Sequence, residues 1–345
     1  MRRRQPQGPH PPATSALKQH RAGLLSARPS RDPVTTRVVT DPGQQGGDKL
    51  SQAQILTEKS AHEIAAVACR KAGLDGANAE LIRLGSNAVF RLGNRIILRV
   101  SRDPGGFDEA ERQVRVARWL AQENYPANRA LDLAQPINAS GYAATFWVSV
   151  SEKEEYADIA QVAALIRSLH QLPLPENLHL PTKDPFGELE ERMSVLGHLD
   201  SGDANFIRCR VDELKRSYGA LDFVLPVGVI HGDANVGNVI LTRDGSPCLI
   251  DLDSFGIGHR EWDLVQTALF YDRFGWHTAE EYRTFVDVYG FDIMKWSGYE
   301  TLAGYREISM TLWLAAKESE EAFNEVRKRV KSIKTGGDRS TWAPF

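Results

Sequence analysis

The residues best equipped for chemistry crowd into one stretch, Val227 to Asp253, which reads VGVIHGDANVGNVILTRDGSPCLIDLD. It holds an imidazole at His231, carboxylates at Asp233, Asp251 and Asp253, and a side-chain carbonyl at Asn238. An asparagine oxygen and a carboxylate are hard ligands, suited to an Mg²⁺ ion that keeps several waters and takes phosphate oxygens. The apolar runs Val239 to Thr242 and Cys248 to Leu252 flank Asp244-Gly245, a dipeptide that tolerates positive φ and favours a two-residue hairpin turn. With 244 and 245 as the central turn residues, Asn238 stands opposite Asp251, and their oxygens converge at the open end of the hairpin. Asp233 leaves the strand Val227 to Ile230 one loop turn before Asn238, where it can face the same metal-bound phosphate without ligating it.

Competing chemistries fail on spacing. There is no G-x-x-x-x-G-K-[ST], and Gly256-Ile257-Gly258 meets Glu261 where a dinucleotide fingerprint needs its third glycine. His62-Glu63 has no second helical histidine for zinc, and no G-x-S-x-G elbow occurs. Leu249 to Ser254 could be the hhD-x-D of a haloacid-dehalogenase-like phosphatase with Asp251 as nucleophile. That motif opens a Rossmann-like domain, however, and here a mostly helical tail follows, leaving Asp233 and Asn238 without a role.

The elements that must position these residues follow from periodicity. Ile55 to Ala72 repeats apolar residues at helical spacing, with Gly73 and Gly76 as stop signals. Ala88 to Leu92 and Ile96 to Val100 form a strand pair across Gly93-Asn94, with Gly85-Ser86-Asn87 at its entrance. Asp108 to Gln122 is helical and Tyr142 to Val150 is a strand. Beyond Val150 the pattern is mainly helical: Ile159 to Leu172, ended by Pro173 and Pro175, then Trp262 to Tyr271 and Gly304 to Lys334. Glu320, Asn324, Glu325 and Arg329 are expected on a solvated face of the last helix. His170 reads as a packed helix-end histidine, and Tyr271, Trp276 and Trp313 as core or pocket wall.

The chain of 345 residues has 42 Lys+Arg against 45 Asp+Glu and a net charge of −3, unevenly placed. Residues 1 to 50 carry a charge of +6, which leaves −9 for the remainder. That head is proline-rich and poor in aromatic residues, so it cannot bury enough surface to offset its ordering entropy; it reads as a disordered basic tail or an over-long gene start. Its prolines argue against a transit helix, and no nucleic-acid partner is expected. No apolar run approaches the roughly 18 residues of a membrane span. Cys69, Cys209 and Cys248 form no disulfide or zinc pattern, which fits a cytoplasmic setting.

Taken together, His231-Gly232-Asp233, Asn238 and Ile250-Asp251 resemble the H-G-D-x-x-x-x-N and I-D-x-x pair of the aminoglycoside phosphotransferase and choline-kinase-like family, relatives of the protein kinases. The resemblance extends over about residues 78 to 335. It implies an α+β, two-lobed protein-kinase-like fold: a small antiparallel-sheet lobe at 51–148, which binds nucleotide, and a larger mostly helical lobe at 149–340, which carries catalysis and substrate. By the same resemblance Asp233 is the catalytic base, Asn238 and Asp251 hold Mg²⁺ on the phosphates, and His231 braces the loop.

Gly85, Ser86 and Asn87 resemble the nucleotide-covering turn, and Trp147 to Ser149 the hinge that grips the base through its backbone. Arg99 stands where kinases commonly have lysine; it keeps the charge but differs in reach, and its orienting partner is Glu109 or Gln113. Arg260 to Leu264 resembles a stretch found in many bacterial members. Asp253 is a second metal ligand or a polar strand exit, while Glu261 and Asp263 either recognise a cationic substrate or, for Asp263, cap a helix.

The implied activity is transfer of the γ-phosphate of ATP or GTP to a hydroxyl of an aminoglycoside, amino sugar or amino alcohol. The acidic balance of residues 51–345 favours such acceptors. The alternative class is a kinase-like binding protein with weakened catalysis, motivated by Arg99 and Gln113.

Overall fold

The computed structural model describes residues 56–343 except Ser86, Asn94 and Glu318. The basic tail, residues 1 to 50, lies outside the described residues. The described chain forms two compact units, one of residues 56–111 with Ala130–Val148, the other of Arg112–Arg129 with residues 149–343.

The first unit is a sheet backed by one helix. Helix α1, Glu58–Ala72, starts at a capping box in which Thr57 and Ser60 each accept from the other's backbone N–H, and stops at Gly73, whose φ of +69° only glycine adopts freely. Its buried stripe is Ala61, Ile64, Ala65, Ala68 and Cys69. The strands are β1 (Glu80–Leu84), β2 (Asn87–Leu92), β3 (Ile96–Ser101), β4 (Ile137–Ala139) and β5 (Tyr142–Val148), in the antiparallel order β1-β2-β3-β5-β4. Alternation decides the faces: Phe90, Leu98, Val100, Ala144 and Phe146 join α1 in the core. Residues at the next register positions, Val89, Arg99 and Thr145, share the opposite face. The first helix therefore begins three residues later than its apolar spacing suggests, and β1 and β4 join the two expected strands and β5.

Helix α2, Phe107–Gln122, crosses the division after Glu111. In the second unit α3 (Ile159–Leu169), capped by Asp158 and Gln161, packs against α7 (Ala279–Tyr289). Between them in sequence come α4 (Pro185–Arg192), α5 (Ser201–Gly219) and α6 (Val265–Asp272), with two small ladders, β6 (Val227–Ile230) with β9 (Gly256–His259) and β7 (Val239–Leu241) with β8 (Pro247–Leu249). Helix α8, Tyr299–Ala315, is buried on nearly every face, as a helix at the centre of a core must be.

The single tail helix expected over Gly304 to Lys334 is two, α8 and α9 (Glu320–Thr335), the second capped by Ser319. Glu320 and Asn324 are exposed as expected, but Glu325 and Arg329 are not. They form a buried ion pair at 3.1 Å, and Arg329 lies 4.9 Å over the Trp342 ring. The chain end folds back over α9 and supplies the missing wall. Among the described residues no helix is long and apolar enough to cross a membrane.

Candidate active site

The hairpin that carries the oxygen ligands is out of step with its sequence expectation by one residue. Val239 pairs with Leu249 and Leu241 with Pro247, so Asn238 stands opposite Ile250, whose N–H donates to the Asn238 carbonyl at 2.9 Å. The turn is not two residues. Thr242 and Ser246 close a three-residue loop, Arg243-Asp244-Gly245, with Gly245 at φ +81°. Asp-Gly signals this bulged loop as well as the shorter turn. Asp251 follows Ile250 in the left-handed region at φ +65°, so local backbone geometry, not strand pairing, aims its carboxylate. Its Oδ1 is buried and has no hydrogen-bond partner.

The loop between β6 and β7 is fixed from behind. His231 is fully buried; its Nδ1 accepts from the Asp233 N–H at 3.3 Å and its Nε2 donates to the Ile250 carbonyl at 3.0 Å. The imidazole thereby ties the loop to the hairpin. Gly232 sits at φ +84°, and a Cβ there would lie 2.3 Å from the Ser254 carbonyl oxygen. Gly232→Ala is expected to cost at least about 2 kcal/mol in a denaturant titration and to displace Asp233; an unchanged unfolding midpoint would show that the loop has slack.

Asp263 is fully buried, and its two oxygens accept the N–H groups of His231 at 2.7 Å and Gly232 at 2.8 Å. His170 Nε2 reaches it at 3.1 Å, and His170 Nδ1 meets the Tyr289 hydroxyl at 2.8 Å. Burial works to raise the Asp263 carboxyl, but the hydrogen bond and charge of His170, with His231, outweigh it and hold the carboxyl below its ordinary range. Glu261, also at 0 % exposure, accepts the N–H groups of Val224 and Leu225. Both acids point into the protein. The expectation that Glu261 and Asp263 recognise a cationic substrate is therefore corrected: one anchors the chain before β6, the other anchors the loop, and neither presents charge to a ligand.

Asp233 is the outward-facing member. Its side chain is 45 % exposed, while its carbonyl accepts from Asn235 Nδ2 at 2.9 Å and Asn238 Nδ2 at 2.8 Å. Asn238 Nδ2 also reaches Asp233 Oδ2 at 3.2 Å. The Gly232 carbonyl takes two further donors, Trp262 Nε1 at 3.0 Å and Arg306 Nη2 at 2.8 Å. Arg306 Nη1 faces Asp233 Oδ1 at 3.5 Å, and the guanidinium lies 4.8 Å from the Trp262 ring centre. Asp253 is half-buried, its carbonyl accepting from Arg112. Arg306 and Asn235 escaped sequence reading. Asn235 belongs to no motif spacing, and Arg306 arrives from α8, far down the chain, with no local signature.

In the sheet unit Arg99 is half-buried on β3, beside Val89 and Thr145 on the face away from α1. Trp147 is buried and donates its indole N–H to Thr145 Oγ1 at 2.9 Å. Gly85 forms a bend whose N–H donates to the Asn87 carbonyl at 3.0 Å, and Asn87 opens β2 opposite Ser101; Ser86 lies outside the described residues. Glu109 is exposed on α2. Gln113 is buried, and Ser149, in the helical unit, is buried with its carbonyl accepting from Arg243.

Among the described residues no group of three or more His, Cys, Asp or Glu could hold a metal. The Asn238 and Asp251 pair suits a cation that completes its shell with water and phosphate, and the orphaned Asp251 oxygen is the buried acceptor such an ion would satisfy.

The sheet unit and the mostly helical unit, with this loop and hairpin, define a class by fold, the kinase-like α+β proteins. The phosphotransferase enzyme family model matches residues 80–305, more than half of the chain, and the chain belongs to that family. It is a phosphotransferase. Among solved structures it is similar to an amicoumacin kinase in complex with AMP-PNP, Ca²⁺ and Ami, at 15 % identity and TM-score 0.62 over 83 % of this chain and 97 % of that one. A choline kinase from Streptococcus pneumoniae matches at 19 % identity and TM-score 0.54 over 75 % and 93 % of the two chains. An aminoglycoside-3'-phosphotransferase of type VIII matches at 21 % identity and TM-score 0.53 over 71 % and 98 %. A search of curated proteins by sequence found no match.

Proposed function

We propose that this phosphotransferase moves the γ-phosphoryl group of ATP to a small-molecule hydroxyl, with Asp233 as the base that orients and deprotonates it. The observation that supports this most is the contrast within one loop, where a carboxylate open to ligand stands on a backbone pinned by buried Asp263, Trp262 and Asn238. Catalysis of phosphoryl transfer is mostly positioning and charge neutralisation, and this loop supplies the positioning. The acceptor oxygen attacks phosphorus as the bond from phosphorus to the β–γ bridging oxygen breaks. ADP leaves, and the acceptor proton passes to Asp233.

Asn238 and Asp251 are the residues that would hold Mg²⁺. When bound, the ion neutralises charge on the phosphate oxygens. Asp253 stands close in sequence as a further oxygen donor. From the sheet unit, Arg99 with Gly85, Ser86 and Asn87 would bind phosphate, and Trp147 with Ser149 would bind the nucleotide base through backbone groups. GTP is the alternative donor. Cys69, Cys209 and Cys248 are all free thiols, which supports a cytoplasmic setting.

The test is ADP release with ATP and Mg²⁺ against aminoglycosides, amino alcohols, sugars and hydroxy acids. Acceptor-dependent turnover that Asp233→Ala abolishes supports the reading; a protein that binds no nucleotide sinks it. Asp251→Asn separates ligand from scaffold. Neutralising a half-buried carboxylate with one buried, unpartnered oxygen is expected to raise nucleotide-free stability by about 1 kcal/mol while weakening Mg²⁺–nucleotide binding at least about tenfold. Calorimetric titration beside a melting curve reads both; a variant that binds normally would remove Asp251 from the site.

A further inference from the structure

We propose that the acceptor carries an oxyanion, a carboxylate or a phosphate, beside its hydroxyl, and that Arg306 reads it. The inference rests on Asp233 being the base, and it starts from how that base is occupied. Both carboxylate oxygens have partners, Oδ2 with Asn238 at 3.2 Å and Oδ1 with Arg306 at 3.5 Å. An acceptor hydroxyl needs an oxygen within hydrogen-bond reach. Asn238 Nδ2 also serves the Asp233 carbonyl at 2.8 Å and is held in place. A carboxylate oxygen can accept two donors, so the acceptor hydroxyl joins Arg306 Nη1 at Oδ1, and whatever stands beside that hydroxyl meets the guanidinium.

The Arg306 contact with Asp233 is built to yield. Charge-assisted N–H···O bonds settle near 2.7–2.9 Å, so 3.5 Å is a loose pair. The same guanidinium stays anchored without it, through Nη2 on the Gly232 carbonyl and the Trp262 ring beneath. A planar guanidinium matches carboxylate and phosphate oxygens in pairs. An acceptor that brings an oxyanion to Nη1 sets its own hydroxyl beside Oδ1, so recognition and alignment on the base become one event.

The surrounding charge agrees. Lys183, nine-tenths buried, binds Glu188 at 2.6 Å and lies 5.5 Å from the centre of the same Trp262 ring. Burial holds its pKa below the ordinary lysine range despite the opposing charge of Glu188, and it lies within electrostatic range of both Asp233 and Arg306. Arg192 reaches Ser309, one turn beyond Arg306 on α8, at 3.0 Å. Against these cations Glu188 is already committed, and the two acids that would have welcomed an amine, Glu261 and Asp263, are sealed behind the loop. A cationic acceptor would meet the Arg306 guanidinium beside the carboxylate it must reach.

The experiment uses four small isosteres, glycerol, 3-aminopropane-1,2-diol, glycerate and glycerol 3-phosphate, titrated calorimetrically into the full-length protein. One or both anions are expected to bind about tenfold tighter than glycerol or more, and the amine weakest; the carboxylate and phosphate arms decide which oxyanion fits. Arg306→Gln is expected to erase that preference and Arg306→Lys to restore part of it, with turnover showing the loss in KM for the anionic acceptor. Equal binding of anion and neutral isostere, preference for the amine, no binding of either anion, or a preference intact in Arg306→Gln would each overturn the proposal. The wild-type comparison needs no variant to fold. Nucleotide binding, measured separately, reports on the assignment of Asn238 and Asp251 and can fail without touching this result.

Discussion

Asp233→Asn is expected to lower kcat by about 10²–10⁴, while nucleotide affinity and melting temperature stay close to wild type. The amide keeps the shape of the carboxylate, and the backbone that carries it is held by contacts the substitution leaves alone. Gly232 N–H still meets Asp263, the Gly232 carbonyl still meets Trp262 and Arg306, and the residue's own carbonyl still meets Asn235 and Asn238. What is lost is a group able to take the acceptor proton and a loose ion pair at 3.5 Å on a side chain 45 % exposed. Such a pair contributes at most about 1 kcal/mol. A stable, nucleotide-binding, inactive protein is therefore the expected product. Turnover within a few fold of wild type, with binding intact, would show that the proton leaves by another route and that the exposed carboxylate only positions.

The parts of this site visible in the sequence are those set by neighbouring residues. Gly232 is demanded by a contact with Ser254 that leaves no room for a Cβ, and His231, Asp233 and Asn238 lie on one short loop, so their types and spacing announce a common purpose. The sheet showed through alternation at Phe90, Leu98 and Val100, and α1 through its apolar repeat and Gly73. The hairpin register did not. Asp244-Gly245 fits two loop lengths, and the choice was made by Thr242, whose side-chain oxygen accepts the Ser246 N–H and stabilises the longer loop. That single step puts Ile250 opposite Asn238 and leaves Asp251 to a left-handed backbone position that strand logic does not foresee.

The failures at longer range share one cause. Composition counts a charge but not the direction in which it points. Glu261 and Asp263 look like a substrate-facing pair because they follow Asp251 so closely, yet each is spent on two backbone N–H groups that α-helix or sheet does not satisfy. Glu325 and Arg329 look solvated because they sit at i and i+4 on a polar helix, until Trp342 returns to cover them. Arg306 is the converse, a cation on a helix buried on nearly every face, whose use is defined by Gly232 and Asp233, contacts no local pattern encodes. In each case the deciding partner is distant in sequence, and the local physics is indifferent between the alternatives.

Asp263→Asn should separate scaffold from chemistry, with a result opposite to that of Asp233→Asn. Asp263 is fully buried and serves three donors, the N–H groups of His231 and Gly232 and the ring of His170. An asparagine offers one acceptor oxygen and an N–H₂ group that has to face donors. Breaking a buried charged network in this way is expected to cost about 3 kcal/mol or more at neutral pH, and kcat should fall with it because the N–H groups that fix Asp233 lose their anchor. The pH dependence carries the mechanism. Because the folded Asp263 carboxyl is held below its ordinary range, its stabilisation is complete above the unfolded value near ~3.9 and is lost as pH falls through the lower folded value. Wild-type stability should therefore show an acid loss that Asp263→Asn lacks, and the gap between the two proteins should narrow as pH drops. Urea titrations at neutral and acid pH measure it. Parallel curves, or a variant as stable as wild type at pH 7, would mean that the loop is held by His231 and Trp262 alone and that the buried carboxylate is not what gives Asp233 its fixed position.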